Sequence, residues 1–317
     1  MTNPFPKISV VIPIYGRIGD FNRLVQKLKE QSLKPYEIIL VDSSPQTLDE
    51  APEGTILIKN PNDVALSWDY NLGAQKAKGE FILNMQQDCL PETNTAIEDL
   101  YKEMTPNRVA VVGTVTLPRE LWEKYDFWGK ILMARWVGEV KQGISGKFDL
   151  IRRDVFMKIG GYDTQNFSFA GEDMDLYMRL SEQGEVYVSN VRVLHLHNQT
   201  RATKWTEVFT KSYQLAESFG ALVRKWGFKL RRAVYAQHIG HHLMKYFYPL
   251  ILLLPFRPIE SVVAIFALSN LANWHIWRVR SPKVVIMLLF NPLLFFTCAA
   301  GTLVGFVRGK QRFSLHK

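Results

Sequence analysis

The chain contains 317 residues and has a formal net charge of +9 at pH 7. That length accommodates one large domain with an appendage, or two smaller domains. The two cysteines, Cys89 and Cys298, are too few and too far apart for a disulfide framework or a zinc motif. The composition therefore excludes a disulfide-stabilised secreted domain and is typical of a reducing, cytosolic compartment.

The charges are distributed unevenly along the chain. Residues 1–200 contain 22 Lys and Arg against 27 Asp and Glu, whereas residues 201–317 contain 17 against 3. The first part is therefore acidic, with a net charge of −5, and the second is strongly basic, at +14. Because the basic residues flank long apolar runs, we expect an anionic membrane surface as partner. No nucleic-acid-binding motif accompanies them, so we expect no nucleic acid partner.

The first part begins with short apolar strands that alternate with helices. The segment Ile8–Ile14 is a nearly continuous β-branched run, typical of a strand buried on both faces of a sheet. Strands that alternate with helices form βαβ units and a parallel sheet, so we expect a doubly wound α/β domain. The pattern predicts further strands over residues 37–41, 55–58 and 80–83, and helices over residues 20–31 and 66–77.

The remainder of this domain is less regular. Strands are predicted over residues 109–113, 148–151 and 186–194, and a helix over residues 171–183. No helix or strand is clearly predicted in the loop-rich stretch that contains Trp122, Trp128 and Trp136. This stretch is a candidate for contacts with a substrate that accepts a transferred group. We expect the domain to end near residue 200, where the composition changes.

The C-terminal third is basic and apolar. Residues 206–236 predict a basic amphipathic helix of the kind that lies on a membrane surface. Apolar segments follow at residues 243–256, 259–277 and 284–307, and only the last is long enough to span a bilayer.

Two features of these apolar segments leave their arrangement open. The Asn291-Pro292 pair predicts a kink in the last segment. The middle segment contains Glu260, so it is a poor span, an interfacial helix or half of a hairpin. Residues 278–283 and 308–317 are both basic, so the positive-inside rule does not fix the topology.

Polar side chains follow several predicted strands. Ligands of parallel α/β sheets bind beyond the carboxyl ends of the strands. Asp42 follows the second strand, where an acidic residue can accept hydrogen bonds from a base or ribose. Its competing interpretation is that of a turn residue in Asp42-Ser43-Ser44-Pro45.

A second group of candidates suits a divalent cation. Asp88 follows the fourth predicted strand, where a carboxylate can hold a cation against diphosphate oxygens. His195 and His197 alternate at the end of a later strand, so both face one side and either can complete the site. A lone pair of surface histidines is equally consistent with a structural role.

A third group lies at the start of the predicted helix at residue 171. Glu172 and Asp173 occupy its first turn, where the helix dipole alone favours carboxylates. Asp175 adds a third acid beside an apolar face, a crowding that the dipole does not explain. A carboxylate in such surroundings can act as the general base that deprotonates an acceptor hydroxyl.

Taken together, residues 7–200 resemble the family 2 glycosyltransferases of the GT-A fold. The order and spacing of several short motifs carry this resemblance. They are Ser9-Val10-Val11-Ile12-Pro13 with Tyr15 and Arg17, Ile38-Ile39-Leu40-Val41-Asp42, Asn71-Leu72-Gly73 with Ala77-Lys78-Gly79, Gln86-Gln87-Asp88, and Arg152-Arg153 to Gly160-Gly161-Tyr162-Asp163 with Gly171-Glu172-Asp173.

The resemblance implies a GT-A, Rossmann-like, mostly parallel sheet flanked by helices, followed by a C-terminal helical membrane-associated region. It also implies an inverting displacement in which Asp173, beside Glu172, is the catalytic base. The implied metal ligands for Mg²⁺ or Mn²⁺ are Asp88 and His195 or His197. The implied donor-binding residues are Pro13, Tyr15, Arg17, Asp42, Asn71, Gln86, Gln87 and Asp88.

The chain departs from the family pattern in two places. The D-x-D motif reads Gln86-Gln87-Asp88, so its first carboxylate is missing. Relatives that transfer rhamnose-like or other sugars onto bacterial glycans often have other residues at that first position. We therefore do not interpret the change as inactivation. The Gln-x-x-Arg-Trp signature of processive synthases is also missing after Asp173, which predicts one added sugar and not a long polymer.

These observations predict a membrane-bound enzyme on the cytosolic face of the inner (plasma) membrane. We expect it to transfer one sugar from a nucleotide-sugar donor to a lipid-linked saccharide or glycolipid. The alternatives are transfer directly to a polyprenyl phosphate, and an inactive homologue that binds donor without turnover. The expected organisation is a catalytic domain over residues 1–200, a basic amphipathic segment over 201–240 and membrane-anchoring helices over 241–317.

Overall fold

The computed structural model divides the chain into two compact units. The first comprises Met1–Leu121 and Gly138–Asn198, and the second comprises Trp122–Val137 and Gln199–Lys317. The Trp-rich stretch for which the sequence predicted no elements thus belongs to the second unit. The structure describes residues 6–16, 21–60, 65–141, 143–196, 202–232, 245 and 247–312.

The first unit is built on a nine-stranded sheet with the order β3-β2-β1-β4-β8-β6-β9-β5, and β7 pairs with β6 at one side. The strands are β1 (Ile8–Ile14), β2 (Glu37–Asp42), β3 (Ile56–Lys59), β4 (Phe81–Asn84), β5 (Cys89–Pro91), β6 (Arg108–Leu117), β7 (Gly138–Val140), β8 (Asp149–Arg152) and β9 (Glu185–His195). The helices of the chain are α1 (Phe21–Lys29), α2 (Leu66–Lys76), α3 (Ala96–Lys102), α4 (Arg119–Trp122), α5 (Phe127–Met133), α6 (Arg153–Lys158), α7 (Glu172–Ser181), α8 (Trp205–Trp226), α9 (Pro258–Ala272) and α10 (Met287–Arg308).

The sheet has two parts that differ in strand direction. Strands β3, β2, β1 and β4 are all parallel, as the alternation of strands and helices predicted. Strand β8 is antiparallel to both β4 and β6, whereas β6 and β9 are parallel to each other. The whole sheet is therefore mixed. A buried apolar run has the same residue pattern in either direction, so the sequence did not distinguish the two cases.

Both faces of the sheet are covered by helices. Strand β1 is buried along its whole length, and its alternate side chains enter two separate hydrophobic clusters. Helix α2 approaches this strand closely at Gly73, where a β-carbon would lie 2.3 Å from Val11 Cγ1. The glycine is therefore required for the packing of α2 on the sheet. The position of α2 on the sheet therefore depends on this contact.

The second unit is held by the packing of α8 against α10. Small residues allow the two backbones to approach: a β-carbon at Gly305 would lie 1.8 Å from the carbonyl oxygen of Glu217, and one at Gly220 would lie 2.0 Å from that of Thr302. The Glu217 side chain is fully buried, and its carboxylate lies 3.3 Å from the Arg308 guanidinium. A buried carboxylate requires such a partner.

Helix α8 is shorter than the sequence predicted. It ends at Trp226, and a 3₁₀ turn continues to Arg232, whereas a helix to residue 236 was expected. Gly227 ends the α-helix because it adopts a positive φ of 53°. The expectation for residues 233–236 lies outside the described residues.

A polar contact joins α9 to α10 around Pro292. Because proline has no N–H, the carbonyl of Leu288 lacks its helical partner. The Asn270 amide nitrogen lies 3.3 Å from that carbonyl oxygen and donates to it. The Asn291 amide in turn donates to the Asn270 oxygen at 3.0 Å. Helix α10 therefore remains continuous through Pro292, because a side chain of α9 replaces the lost backbone donor.

Among the described residues, one helix is long and apolar enough to cross a membrane. It runs from Pro282 to Arg308 with a mean hydropathy of 2.1, and 39% of its most apolar window is buried inside the protein. The expectation that only the last apolar segment reaches this length is confirmed. The middle segment forms α9, which has 15 residues, and a 3₁₀ turn at Trp274–Arg278.

Candidate active site

Asp88 and His195 are brought together by the pairing of β5 with β9. In this antiparallel pair, Cys89 lies opposite His195. The His195 imidazole Nε2 lies 3.3 Å from the Asp88 carboxylate. Both side chains keep a small exposed fraction, so a ligand can reach them. The structure thus places His195 beside Asp88, whereas His197 lies outside the described residues.

The same place contains a thiol. The candidate ligand atoms of Asp88, Cys89 and His195 lie within 4.8 Å of one another. Burial, together with the Asp88 charge, raises the pKa of Cys89 well above its ordinary value. Hard divalent cations such as Mg²⁺ prefer oxygen and nitrogen donors to sulfur. The useful donors are therefore a carboxylate oxygen and an imidazole nitrogen, a set that fits a divalent cation with open coordination positions.

Gln87 connects the altered D-x-D motif to the end of β1. Its side-chain oxygen accepts the Tyr15 N–H at 3.3 Å, and its amide nitrogen donates to the Tyr15 carbonyl at 3.2 Å. Gly16 N–H donates to the Ser44 hydroxyl at 2.8 Å. The amide of Gln87 thus orders the loop after β1, a contact that a carboxylate cannot make with both groups.

The remaining sequence candidates near β1 lie as follows. Pro13 is buried within β1, opposite Val41 of β2. Gln86 is half-buried, and its carbonyl accepts the Cys89 N–H. Arg17 lies outside the described residues.

Asp42 is fully buried at the end of β2. One carboxylate oxygen accepts the Ser44 N–H at 2.9 Å, and the other accepts the Leu48 N–H at 2.6 Å. This is the geometry of the turn residue that the sequence also suggested. Each oxygen retains a second lone pair, so the donor-binding role stays a prediction.

A second buried acid near this place was missed by the sequence analysis. Asp69, in the first turn of α2, accepts hydrogen bonds from the Ser43 hydroxyl at 2.6 Å and from the Asn60 amide at 2.9 Å. It therefore ties α2 to the ends of β2 and β3. The available signal was an acid inside the otherwise apolar run of residues 65–70.

Asn71 binds the glycine turn that follows α6. Its amide donates to the Tyr162 carbonyl at 2.9 Å, and its oxygen accepts the Tyr162 N–H at 2.8 Å. Gly161 has a φ of 67°, and a β-carbon there would lie 2.3 Å from the Asn71 oxygen. Asn71 therefore positions the Tyr162 ring, which stacks on Tyr70 with ring centroids 5.4 Å apart.

Helix α7 begins after Gly171, which has a positive φ of 86°. Asp173 lies in its first turn and accepts the Met174 N–H at 2.7 Å. Burial raises the pKa of Asp173, although the Met174 N–H and the Lys147 charge oppose that shift. A carboxylate with a raised pKa is a stronger base, as proton abstraction requires.

The other two acids of α7 differ in their surroundings. Asp175 is fully buried and lies 2.8 Å from the Arg179 guanidinium, which also donates to the Gly161 carbonyl. It is therefore part of a structural ion pair. Glu172 is half-buried, and its charge contributes to the raised pKa of Tyr162. Of the three acids, Asp175 therefore has a structural role, and Glu172 and Asp173 remain candidates for catalysis.

Asp149 is a buried acid that the sequence analysis did not predict. One of its oxygens accepts the backbone N–H groups of Ser145 and Gly146, at 2.8 and 2.5 Å. Its Oδ1 and the Oδ1 of Asn84, its register partner on β4, are both buried without a hydrogen bond among the described atoms. Burial raises the pKa of Asp149 to about 6. A protonated carboxyl is favoured in such surroundings, because burial disfavours its charged form.

The charges of several carboxylates raise the pKa values of two buried, stacked tyrosines, Tyr70 and Tyr162. Burial and the charges on Asp149, Glu172 and Asp173 raise the pKa of Tyr162 well above its ordinary value. Burial and nearby groups that include Asp149 and Asp88 do the same for Tyr70. Asp173 therefore lies within electrostatic reach of Tyr162, and Asp88 within reach of Tyr70, two rings whose centroids are 5.4 Å apart.

Comparisons with known proteins agree with this architecture. Residues 9–160 match the family described as "Glycosyl transferase family 2". The mannosyltransferase PcManGT from Pyrobaculum calidifontis, solved with GDP-Man and Mn²⁺, is similar with a TM-score of 0.56 and 15% identity over 96% of this chain and 87% of that one.

Curated relatives were found in several organisms. The O-antigen biosynthesis protein RfbC of Myxococcus xanthus is 24% identical over 70% of this chain, which spans only 19% of that protein. A glucosyl-dolichyl phosphate glucuronosyltransferase of Haloferax volcanii is 26% identical over 60% of this chain and 69% of its own length. The O-antigen chain rhamnosyltransferase WbaN of Salmonella anatum is 22% identical, with coverages of 64% and 70%.

The sheet and its flanking helices have the GT-A fold. The chain contains a glycosyltransferase domain of family 2 over residues 9–160.

Proposed function

We propose that this chain is an inverting enzyme that moves one sugar from a nucleotide-sugar donor to a membrane-associated glycan or lipid-linked saccharide. The product would belong to a cell-surface polysaccharide or glycolipid. The observation that carries the proposal is the contact of Asp88 with His195 at 3.3 Å, in the same neighbourhood as Asp173.

In this proposal Asp88 and His195 hold a divalent cation, Mg²⁺ or Mn²⁺. When bound, the cation neutralises the diphosphate that leaves with its bonding electron pair. Its two protein ligands leave positions open for diphosphate oxygens. The Mn²⁺ and GDP-Man in the related mannosyltransferase structure support this assignment.

Asp173 is proposed as the base for the acceptor. The acceptor oxygen attacks the anomeric carbon from the side opposite the departing diphosphate, and Asp173 takes the hydroxyl proton. One bond forms and one breaks in a single displacement, so the configuration at the anomeric carbon inverts. Glu172 lies beside this base.

The donor is proposed to bind at the ends of the parallel strands. Tyr15, Gln86 and Gln87 form the loops beside Asp88, with Pro13 behind them in β1. Asp42 and Asn71 order neighbouring turns and are proposed to contact the donor. Arg17 stays a prediction from the sequence resemblance.

A lipid-linked acceptor fits the C-terminal part of the chain. The Haloferax relative is named for a dolichyl-linked substrate, and the Salmonella relative for O-antigen chains. The apolar helix Pro282–Arg308 supports attachment to a membrane. We propose that the catalytic domain lies on the cytosolic face of the inner membrane. We propose a catalytic domain over residues 1–200, a basic amphipathic segment over 201–240 and membrane-anchoring helices over 241–317.

The proposal is tested by incubating the purified full chain with a panel of nucleotide sugars and extracted lipid-linked saccharides, with and without a chelator. We expect one sugar to be added, and EDTA to abolish the transfer until Mn²⁺ or Mg²⁺ is restored. Transfer to bare polyprenyl phosphate in the absence of any saccharide would support the alternative acceptor. Donor binding without turnover on any acceptor would instead support the inactive homologue.

A further inference from the structure

Lys147 lies in the turn that precedes β8 of the first unit. Every other residue from 143 to 151 is buried, whereas Lys147 is half-buried. Lysine is among the residues that are least often placed in buried surroundings, because its ammonium group loses hydration there. A lysine within a buried run therefore indicates that its charge has a use at this place.

The backbone of this turn is fixed by several hydrogen bonds. One Asp149 oxygen accepts the N–H groups of Ser145 and Gly146, and the Tyr70 hydroxyl donates to the Gly146 carbonyl. Gly146 has a positive φ of 71°, and a β-carbon there would lie 2.7 Å from the Tyr70 hydroxyl oxygen. The Lys147 N–H in turn donates to the Ser145 hydroxyl at 3.3 Å. The point from which the lysine side chain starts is therefore well defined.

The register of the sheet places this turn beside the altered D-x-D motif. Asp149 of β8 lies opposite Asn84 of β4 in an antiparallel pair. The next residue of each segment still bonds to the sheet, one to β1 and the other to β6. Continued by two residues, the register brings Lys147 beside Gln86. This is the position at which the family pattern has its first carboxylate.

The charge of Lys147 reaches both parts of the proposed catalytic site. Burial raises the pKa of Cys89, which follows Asp88, and the Lys147 charge opposes that rise. Burial also raises the pKa of Asp173, and the Lys147 charge opposes that rise as well. Lys147 therefore lies within electrostatic reach of the proposed cation site and of the proposed base.

The residue at position 86 leaves this charge available to a ligand. A carboxylate at that position would attract the ammonium group and offset its charge, whereas Gln86 is neutral. Within the part of the chain that the structure describes, the ammonium group makes no ion pair or hydrogen bond. Both Gln86 and Lys147 are half-buried, so a ligand can reach them from solvent. These surroundings suit an anion.

We propose that Lys147 binds the phosphate to which the sugar of the donor is attached. The inference rests on the proposed function, because it takes the ligand to be a nucleotide sugar. In a donor whose diphosphate is held at Asp88, the phosphate next to the sugar is the one nearest to the base. Lys147 is the cation that reaches both Cys89, beside Asp88, and Asp173. Lysine is a common ligand of phosphate, as a compact charge that donates hydrogen bonds.

The lysine would act on the leaving group. Its ammonium group donates a hydrogen bond to a phosphate oxygen and keeps its proton. When the bond from the anomeric carbon to the phosphate oxygen breaks, the electron pair stays on that oxygen. The fixed positive charge of Lys147 offsets the negative charge that develops there.

The competing explanation is that Lys147 acts only on the basicity of Asp173. Its charge lowers the pKa of that carboxyl and so weakens the base, which is a disadvantage for proton abstraction. A bound phosphate offsets the lysine charge and removes this disadvantage when the donor is present. Phosphate binding therefore explains the position of the lysine better than a role confined to the base.

Binding is measured by calorimetry on the full chain, in EDTA and in Mn²⁺, with UDP, GDP, dTDP, CDP and ADP as probes. The diphosphate that binds most tightly is then compared with its own monophosphate, which lacks the phosphate in question. Lys147→Gln should weaken binding of the diphosphate about tenfold and leave that of the monophosphate unchanged. The loss should persist in EDTA, because the contact does not pass through the cation.

Three further variants complete the test. Lys147→Arg keeps the charge and should retain most of the binding. Lys147→Met keeps the unbranched stem and should give the same loss as Lys147→Gln, so the result does not depend on the folding of one variant. The matched control is Lys158→Gln, which removes the same charge from the exposed end of α6. Monophosphate binding shows that the site of each variant is folded.

The outcomes separate phosphate binding from its alternatives. An equal loss of diphosphate and monophosphate binding in Lys147→Gln would overturn the assignment to the phosphate next to the sugar. An equal loss in Lys158→Gln would reduce the effect to net charge and would also overturn it. Unchanged diphosphate binding with a shifted pH profile of kcat would limit Lys147 to an effect on the base, against the proposal.

Failure of this inference is distinguishable from failure of the proposed function. The proposed function fails if no sugar is transferred to any acceptor, even where the diphosphate binds through Lys147. It also fails, together with the inference, if none of the nucleoside diphosphates binds to the parent chain. The inference alone fails if sugar is transferred and both kcat and KM are unchanged in Lys147→Gln.

Discussion

The two units of the chain differ in the charged groups that they bury. Each unit contains an ion pair with a fully buried carboxylate, Asp175 with Arg179 in the first and Glu217 with Arg308 in the second. In both units, a buried carboxylate that stabilises the fold has an arginine as its partner. The first unit buries carboxylates near its candidate site, Asp149 and Asp173 among them, whereas the second buries the Arg135 guanidinium. A cation is therefore expected to bind in the first unit.

The largest expected effect tests the first unit. Asp173→Asn keeps the shape of the side chain but removes its basicity, so kcat should fall about a thousandfold while donor binding persists. Steady-state rates and donor titration on the same preparation measure this. Asp154→Asn, on an exposed acid of α6, is the matched control and should leave both quantities unchanged. Full activity in Asp173→Asn would refute the assigned base.

The next effect concerns the cation. Replacing His195 by Ala removes one of two proposed protein ligands, so the Mn²⁺ concentration for half-maximal activity should rise about a hundredfold. Activity measured across a Mn²⁺ series gives this value. Saturating Mn²⁺ should restore much of kcat, because Asp88 and Asp173 are intact. A loss that no Mn²⁺ concentration reverses would contradict the role as ligand.

A third prediction changes the second unit alone. Gly305→Ala places a methyl group against the Glu217 backbone, so α8 and α10 must separate, at a cost of about 2 kcal/mol in unfolding free energy. Denaturation monitored by tryptophan fluorescence checks this. Leu303→Ala, on an exposed position of α10, should cost much less. Equal losses in both variants would mean that the close helix contact is unimportant.

The smallest effect concerns Asp149 and the pH dependence of stability. Its folded-state pKa is raised to about 6, so its contribution to stability is present below pH 3.8 and is lost as the pH rises through about 6. Asp149→Asn should remove that loss and gain about 1 kcal/mol in unfolding free energy at pH 7.5. The gain should vanish below pH 4, and a gain that is equal at both pH values would contradict the titration.

Much of the fold could be predicted from the sequence because buried strands have a distinctive composition. Strand β1 has the predicted bounds, and β2 extends one residue further. The direction of β8 could not be predicted, since an apolar run does not encode its neighbours. The end of α8 at Trp226 was missed because the amphipathic pattern continues past Gly227, whose positive φ stops the helix.

The candidate site was predictable only in part, for similar reasons. His195 was one of two equivalent histidines until the register of β5 with β9 placed it beside Asp88. Asp149 was missed because a lone acid within an apolar strand carries no spacing signal. The contact of Gln87 with Tyr15 joins positions 72 residues apart, so no local pattern could indicate it.

The contact of Asn270 with the Leu288 carbonyl has a consequence for how the C-terminal part can be shortened. Deleting α9 would leave that carbonyl and the Asn291 amide unsatisfied in the interior of the second unit. Shortening the chain into α9 should therefore lower the stability of the second unit in one step. A shorter protein that begins this region at α10 would lose the hydrogen bond from the Asn270 side chain, and only a residue with its own N–H at position 292 could replace it.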